Sequence, residues 1–101
     1  MTIKGKYSND YPLIFRGKKT IKNVIYVNIS NIKIDKLPIN PDGLSTAMAI
    51  YDKKPMPPIK IQEIKDYKYK YRILNGRHRL LGFKINGYLT IPAYVSKLKE
   101  L

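Results

Sequence analysis

Apolar positions along the chain come in short bursts rather than long runs. Pro12-Leu13-Ile14-Phe15 is a short apolar strand, Arg16-Gly17-Lys18-Lys19 a turn, and Thr20 to Ile29 a resumed strand. Together they predict an N-terminal hairpin with a basic tip. Within it, Val24 to Ile29 is apolar on both faces for part of its length, which predicts a buried strand. Alternation continues at Ile32 and Ile34. Pro38, Pro41 and Gly43 then break the chain, and Asn40-Pro41-Asp42-Gly43 is a turn signal, with Asp42 also placed to cap the next element. In 44–51, Leu44, Ala47, Met48 and Tyr51 fall at i, i+3, i+4 and i+7, the spacing of one helical face.

Met56-Pro57-Pro58 cannot sit inside a helix. Ile59 to Ile64 alternates with period two, Lys65-Asp66-Tyr67 turns, and Tyr69 and Tyr71 alternate with Lys68, Lys70 and Arg72 on the return. This predicts a second hairpin whose outer face is basic and partly aromatic. A helix from Arg77 to about Asn86 carries Leu80, Leu81, Phe83 and Ile85, and Gly87 stops it. Tyr88 to Val95 is the last strand, interrupted by Pro92, and residues 97–101 form a tail. The pattern predicts a small α+β domain: a mixed β-sheet with two main helices packed on it. Residues 1–22 form a basic arm and hairpin, ordered only where docked, and 23–101 a single domain.

The 101 residues suit one core. No apolar run reaches the length of a membrane span, and Met1 to Lys6 lacks the apolar stretch of a signal peptide. No membrane partner is expected. The chain has no cysteine, which excludes disulfides, thiol catalysis and thiolate metal sites and fits a cytoplasmic protein. Charge changes the picture most. Twenty basic residues face seven acidic ones, for a net charge of +13. Such a surface calls for a polyanion partner, nucleic acid before others. Lys18, Lys19 and Lys22 on the first hairpin read either as contacts to a nucleic-acid backbone or as solvated guards of an edge strand. Lys68, Tyr69, Lys70 and Arg72 on the second hairpin are nucleic-acid contacts by the same argument, with Tyr67 beside them.

The chemistry concentrates in Tyr71-Arg72-Ile73-Leu74-Asn75-Gly76-Arg77-His78-Arg79. A strand runs into a glycine turn and then a helix. Asn75 is placed to cap the helix, and Gly76 tolerates a sharp backbone and blocks no ligand. Arg77, His78 and Arg79 stand at the helix start, where N–H groups and the helix dipole favour an anion. Asn75, Gly76, Arg77, His78 and Arg79 are therefore the expected phosphate-binding set. His78, the only histidine, is the candidate general acid or base. Carboxylates are scarce and no D-x-D pair exists. Asp35 and Asp42, in the loop after the first long strand, are the ones the fold could bring to the site.

Pro58-Ile59-Lys60-Ile61, the segment Tyr71 to Arg79, Gly87, and Ile91-Pro92-Ala93-Tyr94-Val95 occur in this order. Together they resemble the ParB/sulfiredoxin-like domain family, which includes ParB N-terminal and ParB-like nuclease domains. The resemblance covers about forty residues and implies an anion site at the helix start. Sulfiredoxins carry a catalytic cysteine at the position of Arg77, so sulfinic-acid reduction is excluded here. ParB partition proteins carry an acidic residue there, in a segment that helps bind CTP phosphates, and Arg77 weighs against CTP hydrolysis. No helix-turn-helix module is expected in this sequence. Relatives with a G-x-H-R motif include nucleases and a nucleotide-dependent kinase.

Three readings remain open. One is a DNA-binding domain, including a DNase, with Mg²⁺ as the cofactor such cleavage often uses. Another is a nucleotide-binding domain that takes ATP or CTP for phosphoryl transfer or switching. The third is a non-catalytic adaptor or inhibitor that binds protein.

Overall fold

A computed structural model describes residues 5–15, 23–34 and 41–97, apart from the side chains of 41 and 42. The strands are β1 (Ile25–Asn28), β2 (Ile32–Lys33), β3 (Ile59–Glu63), β4 (Tyr71–Asn75) and β5 (Thr90–Ser96). The helices are α1 (Pro41–Tyr51) and α2 (Arg77–Ile85), and a 3₁₀ turn (Ile29–Asn31) links β1 to β2. The five strands form one sheet in the order β1-β5-β3-β4-β2. β1–β5 and β3–β4 pair antiparallel, whereas β3–β5 and β2–β4 pair parallel. This is the mixed α+β architecture the periodicity predicts.

Ile32, Ile50, Ile59, Ile61, Leu80 and Ile91 are fully buried at the centre of the core. Their burial supplies the main driving force for folding, roughly 1.5–3 kcal/mol per large aliphatic side chain before entropy is counted. The proline of β5 is accommodated by register. β3 begins to pair with β5 at Ala93, one residue past Pro92, so no N–H is required of Pro92 on that side. The strand therefore continues through Pro92 instead of being interrupted by it.

The first predicted hairpin is replaced by other pairings in the described residues. Leu13 bridges Met56, and β1 pairs with β5. β1 is an edge strand with only Val27 buried, because the sheet places it outermost whatever its apolarity. The described part of the arm is docked. Lys6 N–H donates to the Gly87 carbonyl at 2.8 Å, and Leu89 N–H returns a bond to the Lys6 carbonyl. Ser8 is fully buried with its N–H on Thr90 Oγ1 at 2.9 Å and its hydroxyl 2.9 Å from the same oxygen. Tyr11 enters the core edge-on to Phe83 at 4.9 Å. The predicted tip at 16–19, with Lys18, Lys19 and Lys22, and Asp35 lie outside the described residues.

α1 begins at Pro41, so Pro41-Asp42-Gly43 is its first turn and not a reverse turn. Proline suits the first helical position because its missing N–H has no intrahelical acceptor to lose. The buried face of α1 also differs from the predicted one. Gly43, Ala47 and Ile50 are buried, while Leu44, Met48 and Tyr51 are 57%, 61% and 69% exposed. Close approach of α2 explains the choice. A Cβ on Gly82 would lie 2.6 Å from Ile50 Cδ1 and 3.2 Å from Ala47 Cα. Small residues win this interface because the helix axes come too near for larger ones. Asn86 Nδ2 fastens the pair by donating to the Ala47 carbonyl at 2.8 Å. Among the described residues no helix is long and apolar enough to cross a membrane.

Candidate functional site

The β4–α2 junction is built by a bulge and a left-handed glycine. Along the β3–β4 pair, Lys60 faces Asn75 but Ile61 faces Ile73. One step on β3 thus meets two on β4, and Leu74 is the extra residue. Such bulges redirect side chains, and Leu74 is 46% exposed at the rim of the cleft. Gly76 comes next with φ +105° and ψ +29°, a conformation that an L side chain rarely adopts. A Cβ there would also lie 2.6 Å from Ile59 Cγ2.

Gly76, not Asn75, is the helix N-cap, and no side chain caps it. Asn75 remains in β4 because the bulge carries the strand one residue further. Its Oδ1 accepts from Arg79 Nη2 at 3.4 Å instead. The first intrahelical bond runs from Leu80 N–H to the Gly76 carbonyl at 2.9 Å. N–H groups of this first turn have no acceptor within the helix, and the residues that carry them line the cleft at the positive end of the dipole.

An open cleft of about 630 Å³ lies at this helix start, lined by Asn75, Gly76, Arg77, His78 and Arg79. All five predicted phosphate-binding residues are therefore brought together. Arg77 is exposed, and His78 and Arg79 are half-buried. Arg79 has a second task. Its Nη1 donates to the carbonyls of Pro57 at 2.6 Å and Pro58 at 3.1 Å, so the guanidinium braces the cleft wall. Thr46, Met56, Pro57 and Leu74 complete the lining. Thr46 has no local signal and joins the site only because α1 packs on α2.

The remaining candidates scatter. Lys68 and Tyr69 line a different cleft, near the N-terminal end of β4. Lys70 is exposed, with its backbone N–H on the Asn31 carbonyl at 2.9 Å. Arg72 donates from Nε and Nη2 to Gln62 Oε1 at 2.9 and 2.6 Å, across the strand pair. Asp42 lies in the first turn of α1, four residues before Thr46; its side chain is outside the described set.

Mg²⁺ binds oxygen donors, carboxylates above all. Among the described residues no Asp or Glu lines the cleft, and no group of three or more His, Cys, Asp or Glu gathers. The described lining does not fit a protein-held Mg²⁺.

Solved structures share this fold. Chromosome-partitioning protein ParB from Caulobacter crescentus, complexed with CTP-γ-S, matches with a TM-score of 0.63 and 20% identity. The match covers 76% of this chain and 46% of that one. Sulfiredoxin from Arabidopsis thaliana matches with a TM-score of 0.58 and 18% identity, over 74% of this chain and 85% of that one. The same ParB complexed to the centromeric parS site matches with a TM-score of 0.57 and 17% identity, covering 75% and 40%. The chain thus spans less than half the length of the ParB chains. No family model and no curated protein sequence matches. The fold is ParB/sulfiredoxin-like.

Proposed function

We propose that this chain is a nucleic-acid-binding domain that seats a backbone phosphate of DNA in the cleft at the α2 N-terminus. The carrying observation is the composition of that cleft. Arg77, His78, Arg79 and a helix start converge on it, and among the described residues no carboxylate lines it. A phosphate there meets charge-assisted donors. The net charge of +13 adds the long-range attraction that backbone binding uses. Lys70 and Arg72 extend the basic surface along the hairpin, and Lys18 and Lys19 belong to the same proposal. The ParB structure bound to the parS site supports this reading by its fold.

A nucleotide reading has its own support in the ParB structure bound to CTP-γ-S. There ATP or CTP would place its phosphates on the same donors. DNase activity is the enzymatic form of the first reading. It assigns general acid–base work to His78 at the cleft wall, with Asp42 and Asp35 as the carboxylate candidates.

Fluorescence anisotropy with a labelled DNA duplex across a salt series tests the proposal. Arg77→Ala is expected to weaken binding and lower the salt slope by about 1. Duplex affinity and slope unchanged in Arg77→Ala would overturn it. Calorimetry with ATP and CTP separates the nucleotide reading, since neutralising a backbone has a steep salt dependence. No binding in any arm leaves the protein-binding reading.

A further inference from the structure

A second cleft of about 710 Å³ lies away from the helix start, and the phosphate site does not use it. Its walls come from segments far apart in sequence: Tyr7 of the arm, Lys68 and Tyr69 before β4, and Lys84 and Tyr88 at the end of α2. We infer that this cleft binds an unpaired nucleotide of single-stranded DNA, stacking the base on its tyrosines and holding the flanking phosphates on its lysines. The inference rests on the nucleic-acid reading and adds a preference for single strands.

The tyrosines are prepared surfaces. Tyr7 is 68% exposed, yet both its neighbours are anchored. Lys6 is pinned to Gly87 and Leu89 through its backbone, and Ser8 is buried against Thr90. Tyr7 is thus held exposed between two fixed residues. Tyr88 is backed by Phe83 at 5.0 Å and Tyr11 at 6.0 Å between ring centroids. A ring fixed by packing loses little entropy when a base stacks on it.

The cations stand beside those rings. Lys6 Nζ is 5.6 Å from the Tyr88 centroid, and Lys68 Nζ is 5.3 Å from that of Tyr69. Lys84 lines the cleft with Lys68, and among the described residues no Asp or Glu does. Buried Ile29 and Ile32 form an apolar floor. Rings, apolar floor and ammonium groups together match a nucleobase joined to phosphate. A purely apolar ligand would leave the lysines unused, and inorganic phosphate would leave the rings unused. In a duplex both faces of each base are already stacked, so this site selects unpaired strands.

The test is anisotropy on the full chain with labelled oligothymidylate of about 12 nucleotides, with duplex DNA in parallel. Tyr7→Ala and Tyr69→Ala are each expected to weaken single-strand binding about 5- to 100-fold, at least about fivefold more than they weaken duplex binding. Tyr7→Phe and Tyr69→Phe keep the ring and restore most of the loss. Lys84→Gln lowers the single-strand salt slope by about 0.7. Affinity unchanged in both alanine variants, equal loss on both DNA forms, or no restoration by phenylalanine overturns the inference. Thymidine monophosphate competing as tightly as the oligonucleotide would reassign the site to a free nucleotide. Silent tyrosine variants with an effective Arg77→Ala remove only this cleft; the reverse removes only the site at the helix start.

Discussion

Arg79 Nη1 donates to the carbonyl of Pro57 at 2.6 Å. The link joins the first turn of α2 to the Pro57–Pro58 segment that leads into β3. The arginine that the motif nominates for phosphate therefore also holds the cleft wall in place. Arg79→Ala is expected to lower unfolding free energy by about 1.5–3 kcal/mol, the range for hydrogen bonds to a charged group. Arg79→Lys recovers only part of it, since an ammonium lacks the planar fork. Urea denaturation measures both. An Arg79→Ala protein as stable as the parent would refute the bracing role.

Gly76→Ala meets two obstacles at once. The backbone is left-handed, and the new Cβ would lie 2.6 Å from Ile59 Cγ2, on a side chain that is itself fully buried. Strain and overpacking together predict a loss of roughly 2–4 kcal/mol. A thermal melt shows it as a clear fall in midpoint; Gly87→Ala, with open space around its Cβ, is expected to lose less.

Docking of the arm depends on a buried polar pair. Ser8→Ala removes one hydroxyl but leaves Thr90 Oγ1 to accept from the residue-8 N–H, at a cost of about 1 kcal/mol. Thr90→Val strands both the Ser8 N–H and its hydroxyl, and each buried orphan costs about 1–3 kcal/mol. The larger effect of the threonine change is the diagnostic, read by denaturant titration of the two variants. Equal losses would mean the pair is not sealed from water.

Tyr11 makes stability sensitive to alkali. Its hydroxyl donates to the Lys54 carbonyl at 2.7 Å. Burial, with a smaller contribution from Tyr88, pushes its pKa from 10.0 up to about 12. The unfolded chain releases this proton first as pH rises. The contribution is thus full below pH 10 and is lost between pH 10 and about 12. Denaturation midpoints measured across that window should fall, and fall less steeply in Tyr11→Phe. An identical slope in the variant would exclude Tyr11 as the source.

Plasmid nicking decides whether binding leads to cleavage. If the chain is a DNase that works through His78, supercoiled plasmid is relaxed by the parent and not by His78→Ala. Equal relaxation by both proteins assigns the cut elsewhere, and none by either leaves a binding domain.

The chain itself determined the local elements of the candidate site. Residues Asn75 to Arg79 are contiguous, so a strand, a glycine and a helix suffice to bring them together. The alternation of Ile59 and Ile61, and the strand–glycine–helix order after Tyr71, needed no distant partner to be legible. Tertiary structure decided what depends on distant neighbours. Whether Leu44 and Met48 or Gly43 and Ile50 face inward was set by how closely Gly82 lets α2 approach. The capping role passed from Asn75 to Gly76 because a bulge arises only when β4 is paired with β3. Arg79 became a brace once Pro57 and Pro58 were folded beside it. Lys68 and Tyr69 were legible as hairpin contacts, but the cleft that joins them to Tyr7 and Tyr88 has no sequence signature, since more than sixty residues separate the arm from the hairpin wall. Periodicity records which side of an element is apolar, whereas packing determines which apolar side is covered and which polar groups meet.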